Sequence, residues 1–233
     1  VEGGIAFEIS GMHAVEDYII SRLQMYLQIY FHPVSRAMEV ILDHLLMRAK
    51  YIYEHPNDFE PEFTPHMLMP FFNHKFSLDD YLALDDGVLT TYFNHWTHSR
   101  DHILSDLARR FLYRRPFKSA IYDQHSAACL PKLRELIQTA GFNSDSYTAV
   151  NDSFKLPYDT YNPQDSNPQT QIELVQPNGE FVELSQVSTL VASVSGREAG
   201  DQRFFFPKEM LEKHQDIEVF EPIYEQFQHY IKN

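Results

Sequence analysis

Apolar residues recur at helical spacing through most of the first 142 positions of this chain. A short alternating stretch at 5–9 predicts a strand, and a helix is expected to follow it from Ser10 or His13. In the run YIISRLQMYLQIYF, residues 18–31, apolar or aromatic side chains fall on every face. A helix that is apolar all round is typically buried, so the pattern predicts a buried helix.

The helical pattern is interrupted at His32 and Pro33, which predicts either a sharp kink or a helix that restarts there. The next helix carries one apolar stripe, made of Val34, Met38, Ile41, Leu45, Ala49 and Ile52. Residues 55–75 contain four prolines and are predicted to be mostly irregular. Three further helices are predicted over about 77–83, 86–98 and 101–114.

The composition changes after Gly141. Residues 143–170 are rich in Asn, Asp, Ser and Pro, which is typical of a linker or a long surface loop. Apolar and polar residues alternate on both sides of Pro177-Asn178-Gly179, which predicts a β-hairpin. Strands are predicted near 187–194 and 203–206, and a helix over 216–231. The chain is therefore predicted to be mainly α, with a helical region at 1–142, a linker at 143–170 and a small α+β module at 171–233.

Arg22 is the residue that this pattern makes most conspicuous, because an unpaired guanidinium is costly inside a buried helix. Tyr26 and Tyr30 follow it at i+4 and i+8, near the same face. Two interpretations remain open. Arg22 forms an internal ion pair with Glu16 or Asp17, or its planar fork binds a phosphate beside the two phenols.

A second feature is a basic cluster between positions 109 and 118, made of Arg109, Arg110, Arg114, Arg115 and Lys118. Positive charge suits the last turn of a helix, which gives the cluster a structural explanation. The alternative is an anion pocket, in which Arg114 and Lys118 converge on one phosphate from the two sides of Pro116.

Histidines offer a third hypothesis, a metal site on one helical face built from His95, His98 and His102. Their spacing matches neither a zincin pair nor a zinc finger, so an exposed polar face is the simpler interpretation. Cys129 is the single cysteine and lacks a CxxC partner. The sequence contains no complete catalytic motif and no glycine-rich phosphate loop.

The formal net charge is −14, which argues against binding of polymeric nucleic acid but allows a small basic pocket. No apolar run reaches the ~20 residues of a membrane span, and one cysteine favours a reducing compartment. We therefore expect a cytoplasmic protein without a membrane partner. The chain begins at Val1 with what reads as mid-domain sequence, so we expect a fragment or a processed product.

Several segments resemble the C-terminal half of the HD-domain deoxynucleoside triphosphate triphosphohydrolases. They are MHAVEDYIISRLQMYLQIYFHPVSRAMEVIL, DHILSDLARRFLYRRPFKS, SFKLPYDTYNP, TQIELVQPNGEFVELSQVS and DQRFFFPKEML, in family order. The resemblance is to the bacterial HD-superfamily phosphohydrolases and, more distantly, to a vertebrate dNTPase with a sterile-alpha-motif domain. It implies conversion of a dNTP to deoxynucleoside and tripolyphosphate by a metal-activated water, in homo-oligomers (tetramers or dimers) that bind a nucleotide effector.

The resemblance also implies residue roles. Arg22 matches an arginine that contacts substrate phosphates, Tyr30 matches a tyrosine beside the sugar, and Tyr26 takes the place of an active-site histidine. In the same way His32, Arg114 and Lys118 match residues at the effector nucleotide, the last two within a Y-R-x-x-F-K stretch.

One departure from the family is clear. The family's His…His-Asp…Asp motif for a divalent metal (Mg, Mn or similar) lies upstream of the first residue here, and this sequence contains no His-Asp dipeptide. Without the metal the hydrolysis loses its nucleophile, so this stretch alone is expected to be inactive and to contain no catalytic residue. The alternative interpretation is a non-catalytic nucleotide-binding or assembly module.

Overall fold

A computed structural model describes residues 5–59, 61, 63–123, 126–155, 172–195, 199–212 and 220–232. The chain divides into two compact units, one formed by Val1–His32 with Asp152–Asp201 and the other by Pro33–Asn151 with Gln202–Asn233. We call them the small unit and the large unit. Each combines an early and a late part of the chain.

The helices, in chain order, are α1 (Met12–Met25), α2 (Pro33–Glu54), α3 (Pro56–Phe59), α4 (Met69–Phe72), α5 (Leu78–Ala83), α6 (Asp86–Trp96), α7 (His102–Leu112), α8 (Leu130–Thr139), α9 (Ser144–Tyr147), α10 (Leu184–Val187), α11 (Thr189–Val194) and α12 (Phe220–Lys232). The strands are β1 (Ala6–Glu8), β2 (Lys118–Ile121), β3 (Ala149–Lys155), β4 (Glu173–Val175), β5 (Phe181–Glu183) and β6 (Ala199–Phe206). A π-helical turn, Tyr26–Tyr30, follows α1, and 3₁₀ turns cover Ile9–Gly11, Ser126–Cys129 and Lys208–Leu211.

The small unit is built on a three-stranded sheet of order β1-β4-β5. β1 runs parallel to β4, and β4 pairs with β5 in an antiparallel hairpin whose turn places Gly179 at a φ of 84°. Glycine adopts this left-handed conformation without steric cost. The buried residues of this unit form one cluster, made of Val15, Ile19, Leu174, Leu184 and Val191.

The large unit is organised around α2, which packs mainly on α7, and α6 also packs on α7. The apolar stripe of α2 lies in the main core from Met38 to Ile52, whereas its first member, Val34, is exposed. The core also contains side chains of α6 and α7, including Phe93, Trp96, Leu104 and Leu107. The first turn of a helix has backbone amides without partners inside the helix. Each of these helices begins either with a side chain that accepts a hydrogen bond from such an amide or with a proline, which has no amide hydrogen. Pro33 opens α2, Asp85 caps α6 and Asp101 caps α7.

A second sheet, of order β2-β6-β3, separates two hydrophobic clusters in the large unit. β6 pairs with β2 in antiparallel register, and its three phenylalanines alternate between the clusters. Phe205 joins the main core, whereas Phe204 and Phe206 pack with α8 and α12 residues such as Ile137 and Phe227. The alternation follows from the two-residue period of a strand.

Most of the predicted elements are confirmed, including the restart at Pro33, the helices between 77 and 114, the hairpin and a strand containing 203–206. The fold class, mainly α with a small α+β part, is also confirmed. Among the described residues, no helix is both long and apolar enough to cross a membrane.

The strand predicted at 187–194 is wrong, because this segment forms α10 and α11. Glu183 accepts a hydrogen bond from the Ser185 amide and Ser188 accepts one from the Val191 amide, so side-chain caps open both short helices. Capping therefore outweighs the strand propensity of the valines here.

The predicted domain boundaries remain a prediction. The predicted module 171–233 contributes residues to both units, and the predicted linker 143–170 is described only up to Lys155. That described part forms α9 and β3 rather than irregular loop. In the predicted terminal helix, 216–219 lie outside the described residues.

The contact between α2 and α7 includes an ion pair between Arg48 and Asp101, whose contribution to stability can be measured. Arg48 donates two hydrogen bonds to Asp101, with Nε–Oδ1 and Nη2–Oδ2 distances of 3.1 and 2.6 Å. Asp101 also accepts a hydrogen bond from the Leu104 amide at 2.7 Å. Burial by itself raises the pKa of Asp101, but the hydrogen bonds from Arg48 and Leu104 outweigh it and hold the pKa below its usual value of 3.8.

We predict that Asp101→Asn lowers the free energy of unfolding by about 2 kcal/mol at pH 7, because asparagine keeps the cap but leaves Arg48 without its counter-charge. The stabilisation is present above the unfolded pKa and is lost as the pH falls through the lowered folded pKa. The difference between the two proteins should therefore shrink toward pH 3. Urea unfolding at both pH values measures it.

The matched control is Asp85→Asn, since Asp85 is exposed and caps α6 through the Val88 amide at 2.8 Å. It should cost less than about 0.5 kcal/mol. An equal loss in the two variants would contradict a role for the Arg48–Asp101 charge pair.

Candidate functional site

The predicted substrate residues lie together on the small unit, on one stretch of α1 and the π-helical turn that follows it. The Arg22 guanidinium carbon is 5.6 Å from the centre of the Tyr26 ring, and the Tyr26 and Tyr30 ring centres are 5.2 Å apart. The Phe31 amide donates to the Tyr26 carbonyl at 2.8 Å, the five-residue spacing of a π turn. We call this group of three side chains the Arg22 face.

The predicted burial of this helix is wrong. Only Val15, Glu16 and Ile19 of α1 are buried, and Arg22 is exposed. Many of its large apolar residues are also exposed, among them Tyr18, Met25, Leu27, Ile29 and Tyr30. The physical reason is that the small unit covers one face of α1 only, through the cluster around Ile19.

The internal ion pair proposed for Arg22 is not formed with Glu16. Glu16 accepts hydrogen bonds from the Ser188 hydroxyl and from His13, the latter at 2.7 Å. The Ser188 hydrogen bond, followed by that of His13, lowers the pKa of Glu16 from its usual value. Within the described part of the chain the side chain of Arg22 forms no ion pair and no hydrogen bond, so its charge is available to an anion.

The predicted effector residues are divided between the two units. His32 is exposed at the end of the small unit's first segment, and Arg114 and Lys118 are exposed on the large unit. Arg114 follows the C-cap of α7 and has a φ of 52°. The left-handed conformation is unfavourable for a residue with a Cβ, and glycine is the usual choice at this position.

Arg110 is not available to an anion, whereas Arg109 is exposed. One Arg109 nitrogen donates a hydrogen bond to the Thr97 carbonyl at 2.6 Å. Arg110 is 5 % exposed and forms ion pairs with Asp106 and Glu209, at Nε–Oδ2 and Nη2–Oε1 distances of 2.6 and 2.7 Å. Burial alone lowers the pKa of Arg110, but these two carboxylates outweigh it and raise the pKa.

The described residues contain no group of three His, Cys, Asp or Glu side chains that could hold a metal ion. The metal hypothesis for the three histidines therefore has no geometric support, and the His95 ring instead stacks on Phe63 with 4.2 Å between ring centres. The divalent metal implied by the family resemblance does not fit a site in this part of the chain.

Sequence reasoning missed the arginine that is fully buried, Arg36 on α2. Its Nη2 donates to the Asn151 carbonyl at 2.6 Å, and its guanidinium lies 5.7 Å from the Phe205 ring centre. The signal was its position four residues before Val40, with which it shares the buried face of α2.

An open groove of about 400 Å³ lies between α7 and the segment that joins α8 to α9. Its polar lining includes His102, Asp106, Arg109 and Asn143. None of the predicted substrate or effector residues lines it.

No protein-family model matches this chain. The uncharacterized protein YwfO of Bacillus subtilis (strain 168) is 39% identical over 211 residues, which are 90% of this chain and 48% of YwfO. The crystal structure of a phosphohydrolase from Bacteroides thetaiotaomicron VPI-5482 matches 87% of this chain and 52% of its own, with a TM-score of 0.65 and 20% identity.

A hypothetical protein from Aquifex aeolicus matches 99% of this chain and 48% of its own, with a TM-score of 0.59 and 16% identity. The two structural likenesses show that the fold is shared. The chain spans about half the length of each of the three proteins.

The conformation of Arg114 generates a prediction about stability. Arg114→Gly should raise the free energy of unfolding by about 0.5–1 kcal/mol, because it relieves the strain of a side chain in the left-handed region. Thermal and urea unfolding of the purified protein measure the change. The matched control is Arg115→Gly next to it, which has no positive φ to relieve and should lose about 0.5 kcal/mol. Equal effects of the two variants would contradict the interpretation.

Proposed function

We propose that this chain is the C-terminal portion of a metal-dependent deoxynucleoside triphosphate triphosphohydrolase, which converts a dNTP to deoxynucleoside and tripolyphosphate. The observation that carries the proposal is the Arg22 face, an exposed arginine without an ion pair in the described residues, beside two tyrosines. The phosphohydrolase name of one protein that shares the fold supports the general class of reaction.

In this proposal Arg22 binds the triphosphate of the substrate, because a planar guanidinium suits phosphate oxygens and its charge is not neutralised by a neighbour. Tyr30 contacts the sugar, and Tyr26 holds the guanidinium in place through its ring. The divalent metal that activates water is bound by residues outside this chain.

The effector nucleotide is bound by Arg114 and Lys118 through its phosphates, and a contact of His32 with an effector nucleotide stays a prediction. The left-handed Arg114 supports this assignment, since a strained arginine at a position that favours glycine indicates a use for its side chain. The intact protein is proposed to be a cytoplasmic homo-oligomer, a tetramer or a dimer.

A second candidate is a non-catalytic nucleotide-binding or assembly module. It is favoured by the exposure of Arg22, Arg114 and Lys118, which are able to bind the phosphates of a nucleotide without a metal. This candidate predicts nucleotide binding or oligomerisation without turnover in the intact protein.

The substrate role predicts that Arg22→Ala lowers kcat/KM for dNTP hydrolysis by the intact protein about tenfold or more, because a charge-assisted contact to phosphate is lost. Release of tripolyphosphate measures the rate. The control is Lys132→Ala, which removes one positive charge from an exposed lysine paired with Glu135. Near-normal kcat/KM in Arg22→Ala would contradict the assigned role, and no turnover by the unmodified intact protein would favour the second candidate.

The effector role predicts that the double variant Arg114→Gly/Lys118→Ala loses nucleotide activation although Arg114→Gly itself stabilises the fold. A loss of activation together with an unchanged or raised melting temperature separates binding from folding. Activation that survives in this variant would contradict the effector assignment.

A further inference from the structure

The basic segment 113–118 begins where α7 ends, and the backbone of Arg110 fixes its first residues. The Arg115 amide donates to the Arg110 carbonyl at 2.8 Å, and the Tyr113 amide donates to the Arg109 carbonyl at 2.9 Å. The hydrogen bond from Arg115 to Arg110 spans six residues and closes the turn in which Arg114 adopts its left-handed conformation. We call residues 113–118 the basic turn.

The side chain of Arg110 is held from three sides. Asp106 accepts from its Nε and both Glu209 oxygens accept from its Nη atoms, at 3.2 and 2.7 Å. Its guanidinium carbon lies 5.7 Å from the ring centre of Phe117, inside the basic turn, and 5.5 Å from that of Tyr147. The Tyr147 hydroxyl donates to Asp106 at 2.8 Å, which closes the network.

Arg110 is unsuited to bind an anion itself. It is 5 % exposed, and two carboxylates already neutralise its charge. A second anion would meet a site whose local charge is negative. Its contacts with the backbone and with Phe117 instead link the carboxylates to the basic turn.

We propose that Arg110, held by Asp106 and Glu209, is a positioning residue that fixes the basic turn and so presents Arg114 and Lys118 to a triphosphate. The positioning follows from the contacts above, whereas the triphosphate as ligand rests on the proposed effector site. Loss of the Glu209 charge weakens two charge-assisted hydrogen bonds that hold the guanidinium in place, and the turn that packs on it loosens.

The sign of the effect distinguishes positioning from simple electrostatics. Glu209→Gln removes a negative charge from the surroundings of a basic segment, which by Coulomb's law should strengthen the binding of an anion. Positioning predicts the opposite, because a loosened turn must be ordered again when the anion binds.

The experiment compares Glu209→Gln with Glu212→Gln in the intact protein. Glu212 follows the same 3₁₀ turn and pairs with exposed Lys208, so its variant changes the net charge equally. Hydrogen exchange of the Arg115 amide reports the turn without ligand, and calorimetry with inorganic triphosphate reports binding. In Glu209→Gln we expect exchange to accelerate and the Kd to rise about fivefold, with Glu212→Gln within about twofold of the parent protein.

Hydrogen exchange tests the positioning role of Arg110, and triphosphate binding tests the effector site. Unchanged exchange at Arg115 in Glu209→Gln would overturn the positioning role, whatever the binding result. Faster exchange with unchanged or tighter triphosphate binding would support positioning and contradict the effector site. If Glu209→Gln fails to fold, Asp106→Asn provides the same comparison, because Asp106 contacts the Nε of Arg110 and is 41% exposed.

Discussion

The need to give buried arginine side chains hydrogen-bond partners inside the large unit is the constraint on which much of its structure depends. Arg36, Arg48 and Arg110 are buried or largely buried, and each joins segments that are distant in sequence. Arg36 links α2 to Asn151, Arg48 links α2 to the cap of α7, and Arg110 links α7 to Glu209. Each guanidinium also lies near an aromatic ring, so its flat faces pack while its edges are hydrogen bonded.

The arginines that have partners inside the fold differ from those whose charge is available to a ligand. Within the described residues, Arg36, Arg48 and Arg110 have partners inside the fold, whereas Arg22 has only the Tyr26 ring and Arg114 protrudes in a strained conformation. The proposed function uses this second group. In a chain with a net charge of −14, exposed arginines without carboxylate partners are the places where a phosphate would meet least repulsion.

The sequence predicted the helices well because their periodicity and caps are local properties, as the Asp85, Asp101 and Pro33 starts illustrate. It also brought Arg22, Tyr26 and Tyr30 onto one helical face, since their spacing is fixed by the helix itself. It failed at 187–194, where two side-chain caps outweighed strand propensity. It also predicted burial of the helix at 18–31 from apolar residues on every face, although the fold covers only one face of α1.

The sequence by itself therefore determined the order of the elements, the stripes that form the core and the neighbours within each helix, because these depend on residues a few positions apart. Only the tertiary structure decided which arginines are satisfied inside the fold, because the hydrogen-bond partners Asn151, Asp101 and Glu209 of Arg36, Arg48 and Arg110 lie 115, 53 and 99 positions away in the chain. Hydrogen bonding over such distances is a property of packing, and local spacing carries no record of it.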